Sequence, residues 1–206
     1  MPGRVKTRLC PPLAPAEAAA VAEAALADTL QAVLSTAVRA RTLVLDGAPG
    51  SWLPAGISVL PQRGNGLDQR LAAAFTDAYA YADPLPVLLI GMDTPQVTPE
   101  LLSSAAELLL GEAVDAVLGP AADGGYWALG LRAPDERLLH DVPMSSSRTG
   151  VEQLRRLWST GRRVSMLPAL VDVDTMEDAR RVAAGIPRSR FARALQTSGR
   201  STEVAS

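Results

Sequence analysis

Pro86-Val-Leu-Leu-Ile-Gly-Met-Asp-Thr-Pro-Gln-Val-Thr-Pro-Glu-Leu-Leu102 is the stretch whose reading decides the fold. Val87 to Ile90 is a short, fully apolar run, the pattern of a strand buried on both faces of a parallel sheet, and Gly91-Met92-Asp93 ends it. Asp93 therefore stands at a strand's carboxyl end. Open α/β sheets bind ligands in the crevice outside those ends, so a carboxylate there is a candidate metal or substrate ligand. The same residues also read as a plain turn, Asp-Thr-Pro ahead of a helix entered at Thr98-Pro99-Glu100.

Towards the N-terminus, Ile57-Ser-Val-Leu60 and Thr42-Leu-Val-Leu45 are two further apolar runs closed by Gly or Pro, and both read as strands. Leu60 leads into Pro61-Gln62-Arg63-Gly64-Asn65-Gly66-Leu67. Its glycines either admit a flat ring or a phosphate against the backbone or simply turn the chain into a helix through Leu71, Ala74, Phe75 and Ala78. A long helix begins near Pro15, carries Leu26, Leu30, Val33 and Leu34 on one face, and runs to about Val38. Before it, Gly3 lies among Arg4, Lys6 and Arg8, a combination that can wrap an oligophosphate or form a frayed basic terminus.

Towards the C-terminus, a helix from Leu101 to Leu110 precedes two strands, Ala116 to Gly119 and Gly125 to Leu131. The link between them, Ala-Ala-Asp-Gly-Gly, has no room for a crossover helix, so this pair reads as antiparallel in an otherwise βα-alternating chain. Pro143-Met-Ser-Ser-Ser-Arg-Thr-Gly150 has the content of a helix entrance, whose hydroxyls serve either capping or anion binding. Val164 to Leu167 is a last strand. Asp172 and Asp174 alternate with valines and point to one side of an extended segment, ahead of a helix through Val182. They repel unless a cation or water intervenes, so with Asp93 they form a candidate oxygen-only site suited to Mg²⁺ or Mn²⁺. From Arg188 the chain turns polar, giving a single domain over residues 1–186 and a disordered tail over 187–206.

Composition removes several alternatives. With 20 Lys and Arg against 22 Asp and Glu, the net charge of −2 offers no field for nucleic acid or an anionic membrane, so the expected partners are small molecules. Cys10 is the single cysteine, which excludes an intramolecular disulfide and a multi-cysteine zinc site. His140 is the single histidine, which leaves no basis for a histidine-dependent triad. No run of transmembrane length and no signal-peptide core is read, and a cytoplasmic enzyme is expected.

Four stretches taken together, Gly3-Arg-Val-Lys-Thr-Arg-Leu9, Leu89-Ile-Gly-Met-Asp93, Asp123-Gly-Gly-Tyr126 and Asp172-Val-Asp-Thr-Met-Glu-Asp178, resemble in order and spacing one bacterial family. These are the glycosyltransferase A-type (GT-A) proteins of the DUF2064 family. They are grouped also with arsenosugar-biosynthesis-type glycosyltransferases and are relatives of phospholactate guanylyltransferases and molybdenum-cofactor nucleotidyltransferases. The resemblance implies an α/β fold, the three-layer α/β/α, Rossmann-like arrangement of nucleotide-diphospho-sugar transferases around a mixed sheet. Family members carry a strand and a short Ala-Lys-Ala-Pro-like segment ahead of the Gly3 loop, so the usual first strand is expected to be lacking here.

Carried over residue by residue, the resemblance gives Lys6 and Arg8 to nucleotide phosphates, with Gly3 and Arg4 in the same loop. It gives Asp93 to a catalytic Mg²⁺, with Asp174 and then Asp172 as the second carboxylate. Gln62, Gly64, Gly66 and Leu67 fall where relatives hold the base. Gly124, Gly125, Tyr126, Ser145, Thr149 and Gly150 fall near the acceptor. The implied partners are a nucleoside triphosphate or nucleotide-sugar and a small phosphorylated or sugar acceptor.

Three functions remain open at this point. The first is nucleotidyl transfer, in which an acceptor phosphate attacks a nucleoside triphosphate and pyrophosphate leaves. The second is sugar transfer from a nucleotide-sugar. Sugar transferases of this fold commonly show Asp-x-Asp at the metal strand, whereas Met92-Asp93-Thr94 offers a single carboxylate, which favours the first. The third is a non-catalytic nucleotide-binding remnant.

Overall fold

The computed structural model describes Gly3, residues 6–82 and residues 84–203, with side chains described as far as residue 198. It divides into two compact units, where the sequence reads as one domain and a tail: residues 1–32, 92–98 and 171–206 form one, and residues 33–91 and 99–170 the other.

The second unit holds the strands. β1 (Thr42–Leu45) pairs in parallel with β2 (Ser58–Pro61). β3 (Val87–Ile90), β4 (Ala116–Pro120), β5 (Tyr126–Leu131) and β6 (Val164–Met166) form a mixed sheet in the order β3-β5-β4-β6. The tight link after β4 makes β5 antiparallel to it, as its length requires, and β6 joins β4 in parallel. β3 pairs antiparallel with β5 at the end of this order and is half-buried rather than enclosed in a parallel sheet. The central strands β4 and β5 are the ones that read as continuous buried runs.

Helices cover both faces of this sheet. Ala116, Leu118, Leu129 and Leu131 meet Ala72 and Phe75 of α2 (Leu67–Tyr81) and Leu157 of α4 (Thr149–Ser159), together with Leu138 and Leu139 of a short 3-10 turn. On the opposite face, α3 (Pro99–Leu110) brings Leu109 against β4 and β5. Gly130 makes this approach possible: a Cβ there would fall 2.5 Å from Val117 Cγ2 and 2.6 Å from Leu109 Cδ1. The β4–β6 pairing opens on Asp115, whose carboxylate accepts from the Arg163 backbone N–H and from its guanidinium at 2.9 Å. These bonds hold the Asp115 carboxyl well below the usual carboxylate range.

The first unit is helical. α1 (Pro15–Ser35), whose residues from Val33 on belong to the second unit, ends short of Val38, and the Arg41 guanidinium donates to the carbonyls of Val33 and Thr36 at 3.0 and 2.6 Å. By length and composition α1 could cross a membrane, but Ala18, Val21 and Ala25 are buried in a core with Leu9, Leu13, Val173, Ala179, Val182, Phe191 and Leu195. α5 (Met176–Gly185) opens on a capping box between Thr175 and Asp178.

The stretch beyond Arg188, expected to be a disordered tail, forms α6 (Arg190–Glu203) instead. Phe191, Ala192 and Leu195 are its buried face, and the Asp28 carboxylate of α1 accepts from the backbone N–H groups of Arg190 and Phe191 at 3.2 and 2.8 Å. A polar composition hid a helix whose few apolar residues fall at helical spacing and whose first turn is capped from another element.

Candidate functional site

The chain leaves β3 through Gly91 and Met92 and places Asp93 in a short segment, residues 92–98, of the helical unit. That segment is stitched to residues 171–174. Val173 N–H donates to the Asp93 carbonyl at 2.9 Å, and Gln96 Nε2 donates to the Val171 carbonyl at 2.7 Å. Asp93 and Asp174 are thereby held on neighbouring lengths of backbone. Asp174 gains a second constraint from the capped start of α5 one residue later.

Lys6 lies between them. Its Nζ is 2.7 Å from Asp93 Oδ1 and 3.4 Å from Asp174 Oδ1, and it donates to the Val173 carbonyl at 2.5 Å. The Lys6 side chain is 10% exposed while those of Asp93 and Asp174 are 40% and 38%, so the cation is the inner member and the carboxylates reach towards solvent. Arg8 approaches from outside, its Nη1 at 3.4 Å from Asp174 Oδ2 with a side chain 76% exposed. Gly3 turns at φ 74 in open space. Arg4 lies outside the described residues.

The expected grouping of Lys6, Arg8, Asp93 and Asp174 is thus one cluster within one unit. The expectation put Lys6 on phosphate, and here it bridges the two carboxylates. Among the described residues no three acidic, histidine or cysteine side chains gather into a metal cluster, so Asp172 does not complete one with Asp93 and Asp174; the third oxygen around Lys6 Nζ is the Val173 carbonyl. These atoms could hold Mg²⁺ or Mn²⁺: all three are oxygens, two belong to carboxylates, and they converge on one cation, the Lys6 ammonium. Mg²⁺ sites of this kind take one or two carboxylates and complete their shell with water and phosphate. Sequence reasoning missed Gln96 and the Val173 carbonyl. A main-chain oxygen leaves no trace in side-chain identity, and a glutamine in a turn has no distinctive signal. Thr94 is fully buried with its hydroxyl lacking a hydrogen-bond partner among the described residues.

The other predicted residues belong to the second unit. Arg70 of α2 fixes the Gln62 to Leu67 loop, donating from Nη1 to Gln62 Oε1 at 3.1 Å and from Nε to the Gly64 carbonyl at 3.2 Å. Gly64 has φ 121, Gly66 is the N-cap of α2, and Leu67 is 45% exposed. In the second predicted region, Gly150 N–H donates to the Gly124 carbonyl at 2.8 Å, which packs the Gly124-Gly125 turn onto the start of α4. The Thr149 hydroxyl donates to the Pro143 carbonyl at 2.7 Å and accepts from Ser146 N–H at 3.1 Å, while Ser145 adopts φ 54. The Tyr126 hydroxyl is buried with no hydrogen-bond partner among the described residues, and burial pushes its pKa up.

The packing around Gly124 is close enough to predict a cost. A Cβ there would fall 2.0 Å from the Ser147 carbonyl oxygen, at φ 91. Because the obstacle is backbone, Gly124→Ala is expected to destabilise by about 2–3 kcal/mol, checked by urea unfolding, with Gly185→Ala, in open space, near neutral.

No curated protein matches the chain. Among solved structures, a proposed nucleotide-diphospho-sugar transferase from Desulfovibrio desulfuricans G20 is similar at TM-score 0.87 and 25% identity, over 98% of this chain and 92% of that one. Two mycobacterial structures share the fold. Rv0371c from Mycobacterium tuberculosis H37Rv has TM-score 0.50 and 24% identity over 77% of this chain and 82% of its own. Its homologue from Mycobacterium sp. strain JC1 has TM-score 0.53 and 20% identity over 79% and 83%. The model of a family described as uncharacterized proteins conserved in bacteria, DUF2064, matches residues 20–146, a span that includes Asp93, the Gln62 to Leu67 loop and the Gly124-Gly125 turn. The mixed sheet, the placement of Asp93 after β3 and this match over more than half of the sequence agree: the chain belongs to the DUF2064 family.

Proposed function

We propose that this chain is a divalent-metal-dependent transferase acting on a nucleotide, and that the reaction is nucleotidyl transfer to a small phosphorylated acceptor. The observation that carries this reading is the Lys6, Asp93, Asp174 and Val173 carbonyl cluster, a hard-cation seat with a second cation, Arg8, at its rim. Such a cluster suits phosphoryl chemistry, where positioning and charge neutralisation carry most of the rate enhancement. An acceptor phosphate oxygen forms a bond to the α-phosphorus of a nucleoside triphosphate in line with the bond to the β-phosphate oxygen, which breaks to release pyrophosphate. Asp93 and Asp174 would hold the metal, and it would supply charge neutralisation on phosphate oxygens. Arg8, whose side chain is exposed beside Asp174, would donate to the departing phosphates. The chemistry requires no side-chain nucleophile, which accords with a chain holding one cysteine and one histidine. The roles of Gln62 to Leu67 towards the base, and of Gly124, Gly125, Tyr126, Ser145, Thr149 and Gly150 towards the acceptor, are proposed on the family resemblance alone.

The likeness to the Desulfovibrio protein favours a second reading, glycosyl transfer from a nucleotide-sugar, with the same seat serving a nucleoside diphosphate leaving group. The test is to incubate the protein with Mg²⁺, small phosphorylated acceptors and either each nucleoside triphosphate or a panel of nucleotide-sugars. Acceptor-dependent pyrophosphate is expected. Nucleoside diphosphate released from a sugar donor would replace the first reading by the second, and binding without turnover would defeat both.

A further inference from the structure

Of the chain's 20 lysine and arginine residues, Lys6 is the only lysine. Arginine presents its donors as a rigid planar fork, whereas an ammonium is a compact point charge on a flexible stem. The oxygens of Asp93, Asp174 and the Val173 carbonyl surround one point from three residues, at 2.7, 3.4 and 2.5 Å from Nζ. This is how oxygens surround a metal ion, and a guanidinium plane cannot reproduce it. The residue that departs from the chain's preference for arginine is the one occupying this seat. Its backbone is left-handed (φ 49, ψ 40), and the side chain turns inward beneath both carboxylates.

The charges set a limit on what else the seat can hold. Two carboxylates balance one ammonium with a single negative charge left over. A divalent cation added to the same oxygens would stand within a few ångströms of Nζ, where like charges repel strongly. Nucleotide phosphates bring the negative charge that lets both cations remain, provided the ammonium moves off the carboxylates.

We propose that Lys6 is the resident cation of the metal seat, and that its ammonium leaves Asp93 and Asp174 for the substrate phosphates when a divalent cation takes their oxygens. The proposal rests on the metal-dependent reading above and adds its regulation. Lys6 makes metal and nucleotide each bind weakly alone and tightly together, a coupling that is reciprocal by linkage. It also reconciles the phosphate role implied for Lys6 with its position between two carboxylates.

Two measurements test this without turnover. Mn²⁺ binding, followed by the paramagnetic resonance of the free ion in the absence of nucleotide, is expected to be at least about tenfold tighter for Lys6→Met than for wild type. That gain should vanish in Lys6→Met/Asp93→Asn. Equal Mn²⁺ affinity in wild type and Lys6→Met overturns the exchange while leaving the metal reading intact. No Mn²⁺ binding by either overturns both. The second measurement needs no variant, because Lys6 is the one lysine of this sequence and its acetylated peptide is identified without ambiguity. Saturating Mn²⁺ is expected to speed Lys6 acetylation by about fivefold or more, read by mass spectrometry of its peptide. A rate that Mn²⁺ leaves unchanged overturns the proposal.

Discussion

Asp93→Asn is expected to lower kcat/KM for acceptor-dependent pyrophosphate release by about 10²–10³-fold while leaving the unfolding midpoint nearly unchanged. The substitution keeps the side chain's size and removes the charge that meets Lys6 at 2.7 Å, the shorter of that lysine's two carboxylate contacts. Asp93 is 40% exposed, its amide replacement can still accept from Lys6, and Lys6 keeps Asp174 and the Val173 carbonyl, so activity should fall far more than stability. Asp174→Asn should move activity in the same direction by less, because its contacts to Lys6 and Arg8 are both 3.4 Å. Steady-state kinetics at several Mg²⁺ concentrations, with a thermal melt on each variant, checks both statements. Turnover untouched in Asp93→Asn would show the metal assignment to be wrong.

Phe191→Ala is expected to destabilise the chain by about 3–5 kcal/mol, the cost of emptying a fully buried aromatic position. The ring belongs to a core that includes Leu9, Val21, Val173 and Val182, so the loss falls on the unit that carries Lys6, Asp93 and Asp174. Arg193→Ala, on the exposed side of the same helix, should be near neutral. Urea unfolding followed by circular dichroism measures both. Two neutral results would restore the reading of this stretch as an unstructured tail.

The strands were legible because apolar runs punctuated by Gly and Pro report burial and turning directly. Val87 to Ile90 forms β3 with the bounds its composition predicts, and the short Ala-Ala-Asp-Gly-Gly link dictates the antiparallel return of β5. The family resemblance implied the grouping of Lys6 and Arg8 with Asp93 and Asp174, residues far apart in sequence. Hydrogen bonding decided what sequence alone did not. In sequence Lys6 reads as a phosphate ligand or as part of a frayed basic terminus, and its place between two carboxylates emerges only from the backbone that Val173 and Gln96 help to fix. α6 was lost for a different reason: its hydrophobic signal is three residues, and the carboxylate that caps it is Asp28, on another helix. The division into two units was equally invisible, since one unit is assembled from three separated lengths of chain.

That assembly sets an order of events during synthesis. The strand-bearing unit is nearly contiguous, interrupted only by residues 92–98, and its sheet is closed by β6 before the last helices are made. The core of the helical unit joins Leu9 to Phe191, far apart in sequence, so its loop-closure cost is high and it cannot form until α6 has left the ribosome. The carboxylates and the lysine of the site belong to this late unit. The protein therefore passes through a stage in which the sheet can fold while Lys6 has yet to meet Asp93, and a nascent chain stalled before α6 should lack the site altogether.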